Sequence, residues 1–180
     1  ISACLVGSEM CIRDRFPTLA MAHGVCMAGG FELALFCDLI WAAEGTVVGL
    51  PESSLGIVPL AGGIERVAAR AGLGRARAIA LSGALYKAEE FAGWGVIDRV
   101  LPADELEEKA MRFARKLAAG PTLAYAAIKD VAAAYAREGI PGADERLLDA
   151  AVGLFDTVDA QEGISSFLES GAGHAVYHGR

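Results

Sequence analysis

The hydrophobic rhythm of the chain changes once, at Leu101, and that single change narrows the folds open to it. Up to that point apolar residues come in short runs closed by glycine or proline. Residues 19–23 stop at Gly24, residues 46–50 stop at Pro51, and residues 96–101 lie between Gly95 and Pro102, so each reads as a short buried strand. Residues 31–36, 64–71, 75–81 and 87–92 read as short helices between them, with residues 39–43 as a further apolar run. Asp38, at the head of that run, is expected to satisfy backbone groups at a helix end. Beyond Leu101 the period is helical throughout. Asp104 is a candidate cap, and Leu106, Ala110, Phe113 and Leu117 recur at four- and three-residue steps. Ile128, Val131 and Tyr135 repeat the stripe after Gly120-Pro121, Leu148, Val152 and Phe155 after Pro141-Gly142, and Ile164, Phe167 and Leu168 close the series. Strands mixed with helices, then helices alone, imply an α/β part followed by a region that packs helix on helix.

Composition removes several classes of function. Of the 180 residues, 54% are hydrophobic and the mean hydropathy is +0.39, so a membrane span has to be tested. The longest charge-free run, residues 16–31, is broken by Pro17, His23, Gly24, Gly29 and Gly30, whereas a spanning helix needs roughly 20 predominantly apolar residues. The net charge of −7 is spread without like-charge blocks, which excludes the basic footprint of a nucleic-acid binder. Cys4, Cys11, Cys26 and Cys37 show neither CxxC spacing nor nearby histidine clusters, which argues against a zinc site or a disulfide framework. A reducing, cytoplasmic setting is the simpler expectation, although a targeting segment upstream would be out of view.

Residues 1–15 carry no sustained period before the patterned sequence begins at Phe16. They are expected to be a non-native leader similar to translated adapter sequence, the alternative being a native helix or loop ending at Arg13, Asp14 and Arg15. The expected organisation is thus a leader at 1–15, a core part at 16–102 and a helical region at 103–180.

The stretch from His23 to Asp38 is the richest in chemistry. Gly29 and Gly30 set bare N–H groups at a helix start, with Glu32 one turn inside. Such a turn suits an oxyanion, because glycine permits close approach and the helix N-terminus favours negative charge. Alone, Gly-Gly before a helix is more often a packing turn, and an acid such as Glu52 after a proline is more often a solvated one. Cys26 does not fit a nucleophile elbow, since Ala28 stands where a glycine is required, and reads as a small core residue. His23, His174 and His178 have no metal-ligand spacing, and His23 reads as structural.

Gly24, Gly29-Gly30, Glu32-Leu33-Ala34 and Cys37-Asp38, then Pro51-Glu52, then Gly56, Pro59, Gly62-Gly63 and Arg66, together resemble the active-site half of the crotonase superfamily. The likeness is to its enoyl-CoA hydratase/isomerase members and runs from about Phe16 to about Leu168. It implies a crotonase-like spiral of short strands and helices with a C-terminal helical trimerisation region. It further implies that the Gly29 N–H binds a thioester oxygen, that Glu32 and Glu52 are the catalytic carboxylates, and that Ala28, Pro51 and Leu60 contact substrate. The substrate would be an acyl-CoA thioester, with coenzyme A arriving as part of it and with no metal or redox cofactor. The assembly would be a homotrimer or a dimer of trimers. The family's N-terminal part, which supplies a second oxyanion donor and much of the adenine site, is expected to be missing.

Two carboxylates favour hydration over double-bond migration, for which one commonly suffices in such members. Adding water across a 2-enoyl thioester requires a proton to leave water while another reaches the α-carbon, and carboxylates sharing a poorly solvated site have coupled protonation. Leu60, where similar hydratases often have glycine, and Val48-Gly49-Leu50, in place of Phe-Gly-Gln, depart from the pattern. The rival readings are an isomerase or other thioester-enolate enzyme on this scaffold, or an incomplete chain that only self-associates.

Overall fold

A computed structural model describes residues 16–180, which fall into two compact units, Thr18–Arg112 and Phe113–Arg180, the second also taking in residues 16 and 17. The leader expected at residues 1–15 lies outside the described residues. In the first unit, β1 (Leu19–Ala22), β3 (Leu39–Ala43) and β6 (Arg99–Leu101) form a parallel sheet in the order β1-β3-β6. A second sheet joins β2 (Val25–Met27), β4 (Val47–Gly49) and β5 (Leu85–Lys87), with β2 parallel and β5 antiparallel to β4. The helices between them are α1 (Gly29–Phe36), α2 (Gly63–Ala71), α3 (Leu73–Ser82) and α4 (Ala88–Gly93), and a 3₁₀ turn occupies Pro51–Leu55.

Strands β2 and β5 were not expected, and both are too short to show a period; each exists through its pairing with β4. The run at 96–101 becomes a strand only at Arg99, because the N–H groups of Val96 and Ile97 both turn back to the Phe91 carbonyl. Asp38 satisfies backbone at a strand rather than a helix end. Its Oδ2 accepts the Thr18 N–H at 2.7 Å and the Thr18 hydroxyl at 2.8 Å, which pins the entry of β1 beside β3. Arg70 ties three elements together, donating to the Cys37 carbonyl at 2.8 Å and the Val96 carbonyl at 3.1 Å, with Asp98 at 3.8 Å.

Phe31, Phe91, Ile40, Leu50, Ile79, Val48, Val67 and Val96 are essentially solvent-free and form the core of this unit. Phe31 meets Phe91 edge-on at 5.1 Å, and Tyr86 and Trp94 extend the aromatic cluster. Each such side chain contributes about 1.5–3 kcal/mol through burial.

Helix α5 (Ala103–Ala118) spans the boundary between the units, with Leu106 and Ala110 buried as the stripe predicts. Glu105–Lys109 and Glu108–Arg112 pair along it. Asp104 sits within its first turn, where a carboxylate favours the helix dipole, rather than in the capping position. The second unit then carries α6 (Thr122–Phe155) and α7 (Val158–Ser170). The break expected at Pro141-Gly142 falls at Gly139, whose φ of 70° and ψ of −161° only glycine adopts readily; Pro141 then lies in the first turn of the continuing helix, where its missing N–H is not needed. Asp159, buried in the first turn of α7, accepts the N–H groups of His178 at 2.6 Å and Gly179 at 2.8 Å and folds the tail back onto the helix. No described helix is long and apolar enough to cross a membrane.

Candidate active site

The parallel pair β2 and β4 sets the site. Met27 lies opposite Gly49, so the chain leaves both strands at the same end, and the Ala28 N–H extends the ladder to the Gly49 carbonyl at 3.0 Å. In sheets of this kind, ligands gather beyond the carboxyl ends of the strands. From β2 the exit leads into α1 and Glu32; from β4 it leads through Leu50 into the 3₁₀ turn and Glu52.

Ala28 makes the first exit abrupt. It holds φ 51° and ψ −133°, the one positive φ outside glycine among the described residues, at a cost of about 1–3 kcal/mol. Its carbonyl already accepts the Glu32 N–H at 2.9 Å, so α1 begins without a run-in. The first N–H groups of a helix have no intrahelical acceptor, which leaves those of Gly29 and Gly30 available to a ligand, while Phe31 is buried. Gly29 and Gly30 are exposed, and added Cβ atoms there would meet nothing within 4 Å, so their main chain is open to close approach.

Glu32 is buried, 3% exposed, and its Oε1 accepts two backbone N–H groups, from Ala61 at 2.8 Å and Gly63 at 2.9 Å. Gly63 has to lack a side chain for this. A Cβ there would stand 2.8 Å from Leu50 Cδ2, 3.1 Å from Glu32 Cγ and 3.2 Å from Glu32 Oε1. Leu50, from the exit of β4, and Glu32, from the exit of β2, therefore meet at one point beside α2. Glu52 is 6% exposed, and its Oε2 finds no hydrogen-bond partner among the described residues. A carboxylate oxygen in that state costs on the order of 1–3 kcal/mol, a penalty that a bound group able to donate would remove. Pro51, half-buried, presets the turn that carries Glu52, and Leu60 projects 81% exposed from the loop whose next residue grips Glu32.

The two N–H donors on Glu32 were missed from sequence. Backbone groups carry no residue signature, and only Gly62-Gly63 ahead of a helix hinted that the main chain was to be approached closely. His23 is exposed in the turn between β1 and β2 rather than packed. Cys26 is half-buried against the core, and that burial pushes its thiol up from 9.0, which disfavours the nucleophilic thiolate. The described residues hold no group of three or more His, Cys, Asp and Glu side chains placed to share a metal ion. A groove of about 1040 Å³ lies in the second unit between α6 and α7, but its lining, including Val131, Leu147, Leu154 and Ile164, is mostly apolar, with Thr157 and Asp159 at one part of it, and contains none of the site residues.

Two crossed-over small sheets with buried acids at the exits of a parallel pair define a crotonase-like fold. A crystal structure of an enoyl-CoA hydratase from Bacillus anthracis matches it with a TM-score of 0.89 at 31% identity, covering 99% of this chain and 69% of that one. The sequence matches the enoyl-CoA hydratase/isomerase family over residues 10–175, and the chain belongs to that family. Among curated relatives, carnitinyl-CoA dehydratase of Salmonella typhi is 34% identical over 91% of this chain. A protein of Dictyostelium discoideum named "Probable enoyl-CoA hydratase, mitochondrial" is 35% identical over 86% of it. The chain spans 64% and 56% of the lengths of these two relatives.

Proposed function

We propose that the complete protein adds water across the double bond of a short or medium 2-enoyl-CoA thioester, as a lyase. The observation that carries this reading is the unequal treatment of two buried acids at neighbouring strand exits. Glu32 is already an acceptor of two N–H bonds through Oε1, while Glu52 presents a buried oxygen with no protein donor. In this reading Glu32 takes a proton from water as its oxygen bonds to the β-carbon, and Glu52 delivers a proton to the α-carbon. Charge gathering meanwhile on the thioester oxygen is held by the Gly29 N–H at the start of α1. Ala28 and Pro51 shape the floor of the site and Leu60 borders the acyl chain. The chemistry calls on no metal or redox group, and coenzyme A enters only as part of the substrate. The names of the two relatives point the same way, since hydration and dehydration are one reaction run in opposite directions and both need an acid and a base.

We further propose that α6 and α7 assemble the protein as a homotrimer or a dimer of trimers, supported by the exposed Ile128, Leu148, Phe155, Phe167 and Leu168. A monomeric mass for the complete protein in solution contradicts this.

The functional test follows loss of enoyl-thioester absorbance. Replacing either acid by glutamine is expected to lower kcat by about 10²- to 10⁴-fold. Unchanged turnover by the Glu32→Gln, Glu52→Gln double variant overturns the assignment. Double-bond migration without uptake of water moves the reading to an isomerase on the same scaffold.

A further inference from the structure

We propose that Arg66 is a positioning residue that acts on Glu32 through the Gly62–Gly63 peptide group. The inference rests on the reading of Glu32 as a catalytic carboxylate. Arg66 Nη1 donates to the Gly62 carbonyl at 3.2 Å, and the N–H of that same peptide, on Gly63, donates to Glu32 Oε1 at 2.9 Å. A guanidinium, one amide and a carboxylate thus stand in series. A cation on the carbonyl side of an amide polarises it and strengthens its N–H as a donor, so the charge of Arg66 reaches Glu32 without touching it. Nη1 also lies 3.4 Å from the carbonyl of Ala61, the residue whose N–H is the second donor to Glu32.

Two further contacts fix the guanidinium where this requires. It lies 3.7 Å over the ring of Phe36, four residues after Glu32 and so one turn along the same face of α1. Gly62 makes room for it: with φ at +85°, a Cβ there would stand 1.9 Å from Nη1. Glu65, 3.8 Å away, is 71% exposed and competes only weakly in water. Arg66 is therefore anchored on the helix that carries the acid and bonded to the loop that grips it, which sets where the Glu32 carboxylate points.

The test is a double-mutant cycle on the complete protein. Arg66→Met is expected to lower kcat about tenfold with KM unchanged, and to lower it no more than about twofold further in the Glu32→Gln background, because a coupled pair is not additive. Arg66→Lys, which keeps a cation but loses the fork and the stacking, recovers part of the rate. A tenfold loss in both backgrounds, a change in KM alone, or Arg66→Lys as impaired as Arg66→Met overturns the proposal. The same four variants are compared by thermal unfolding: coupling makes the fall in midpoint of the double variant smaller than the sum of the single falls, and additivity overturns it. That second arm needs no turnover. Failure of the hydratase reading, seen as no water addition by the unaltered protein, is thereby separated from failure of the Arg66 proposal.

Discussion

The two units treat the same raw material differently. Every large side chain that is fully buried among the described residues lies in the first unit, where strands and helices close around Phe31, Phe91 and Leu50. In the second unit the apolar positions recur at helical spacing just as regularly, yet Leu148, Phe155 and Leu168 are 71%, 67% and 78% exposed. The contrast teaches that periodicity identifies which face of a helix is apolar but not what covers it. Glu32 and Glu52 owe their burial to the closed packing of the first unit, whereas the buried acid of the second unit, Asp159, is already bonded to two backbone N–H groups of the tail.

The most severe way to challenge that contrast is to open the first core. Phe91→Ala removes the ring that meets Phe31, Tyr86 and Trp94, and is expected to cost about 3–5 kcal/mol in urea unfolding. A loss below about 1 kcal/mol would mean that the first unit is no better closed than the second. Overpacking is the next probe. Gly63→Ala drives a methyl into Leu50 and Glu32, so a loss of about 1–3 kcal/mol accompanied by a fall in turnover is expected. Full activity in that variant would show that the contact between the two strand exits is not held closely.

How far these features could be read in advance differs by element. Strands β1 and β4 showed as apolar runs ended by glycine or proline and β3 only as an apolar run with no element assigned to it, whereas Glu32 and Glu52 stood out through the resemblance to the crotonase superfamily rather than through their neighbours alone. Strands β2 and β5 did not show, because three residues cannot display a period and their existence depends on a partner distant in sequence. The strained Ala28 was invisible for a related reason: alanine has no preference for a positive φ, and only the demand for a one-residue turn from ladder to helix imposes it. The kink at Gly139 was placed two residues late because Pro141 is the louder signal, although glycine is the residue able to take the turn. The grip on Glu32 is made by main chain, so no side-chain pattern could reveal it.

The second unit also holds a buried charged group, Asp159, which ties the tail to α7. Asp159→Ala leaves the N–H groups of His178 and Gly179 without their acceptor, and is expected to cost about 1 to 2 kcal/mol. The sharper readout is hydrogen exchange. Both amides should lose protection while those of β1, β3 and β6 keep theirs, and continued protection at positions 178 and 179 would show that the tail is held by something other than this carboxylate.

The smallest effect on folding carries the most information about the uncovered face. Phe155 and Leu168 line the groove between α6 and α7 but remain mostly in contact with water, so a Phe155→Ser, Leu168→Ser variant gives up little that folding gained. Its unfolding free energy at a concentration that keeps the chain monomeric should stay within about 0.5 kcal/mol of the parent. If these stripes are where copies meet, the same variant should sediment at a lower mass at concentrations where the parent assembles, because burying each ring or branched chain at an interface is worth about 1.5–3 kcal/mol. A large loss of monomer stability would instead mean that the groove is already part of a core, and the distinction between the two units would fail. An unchanged mass with unchanged stability would leave the contrast in place and remove these two side chains from the association surface.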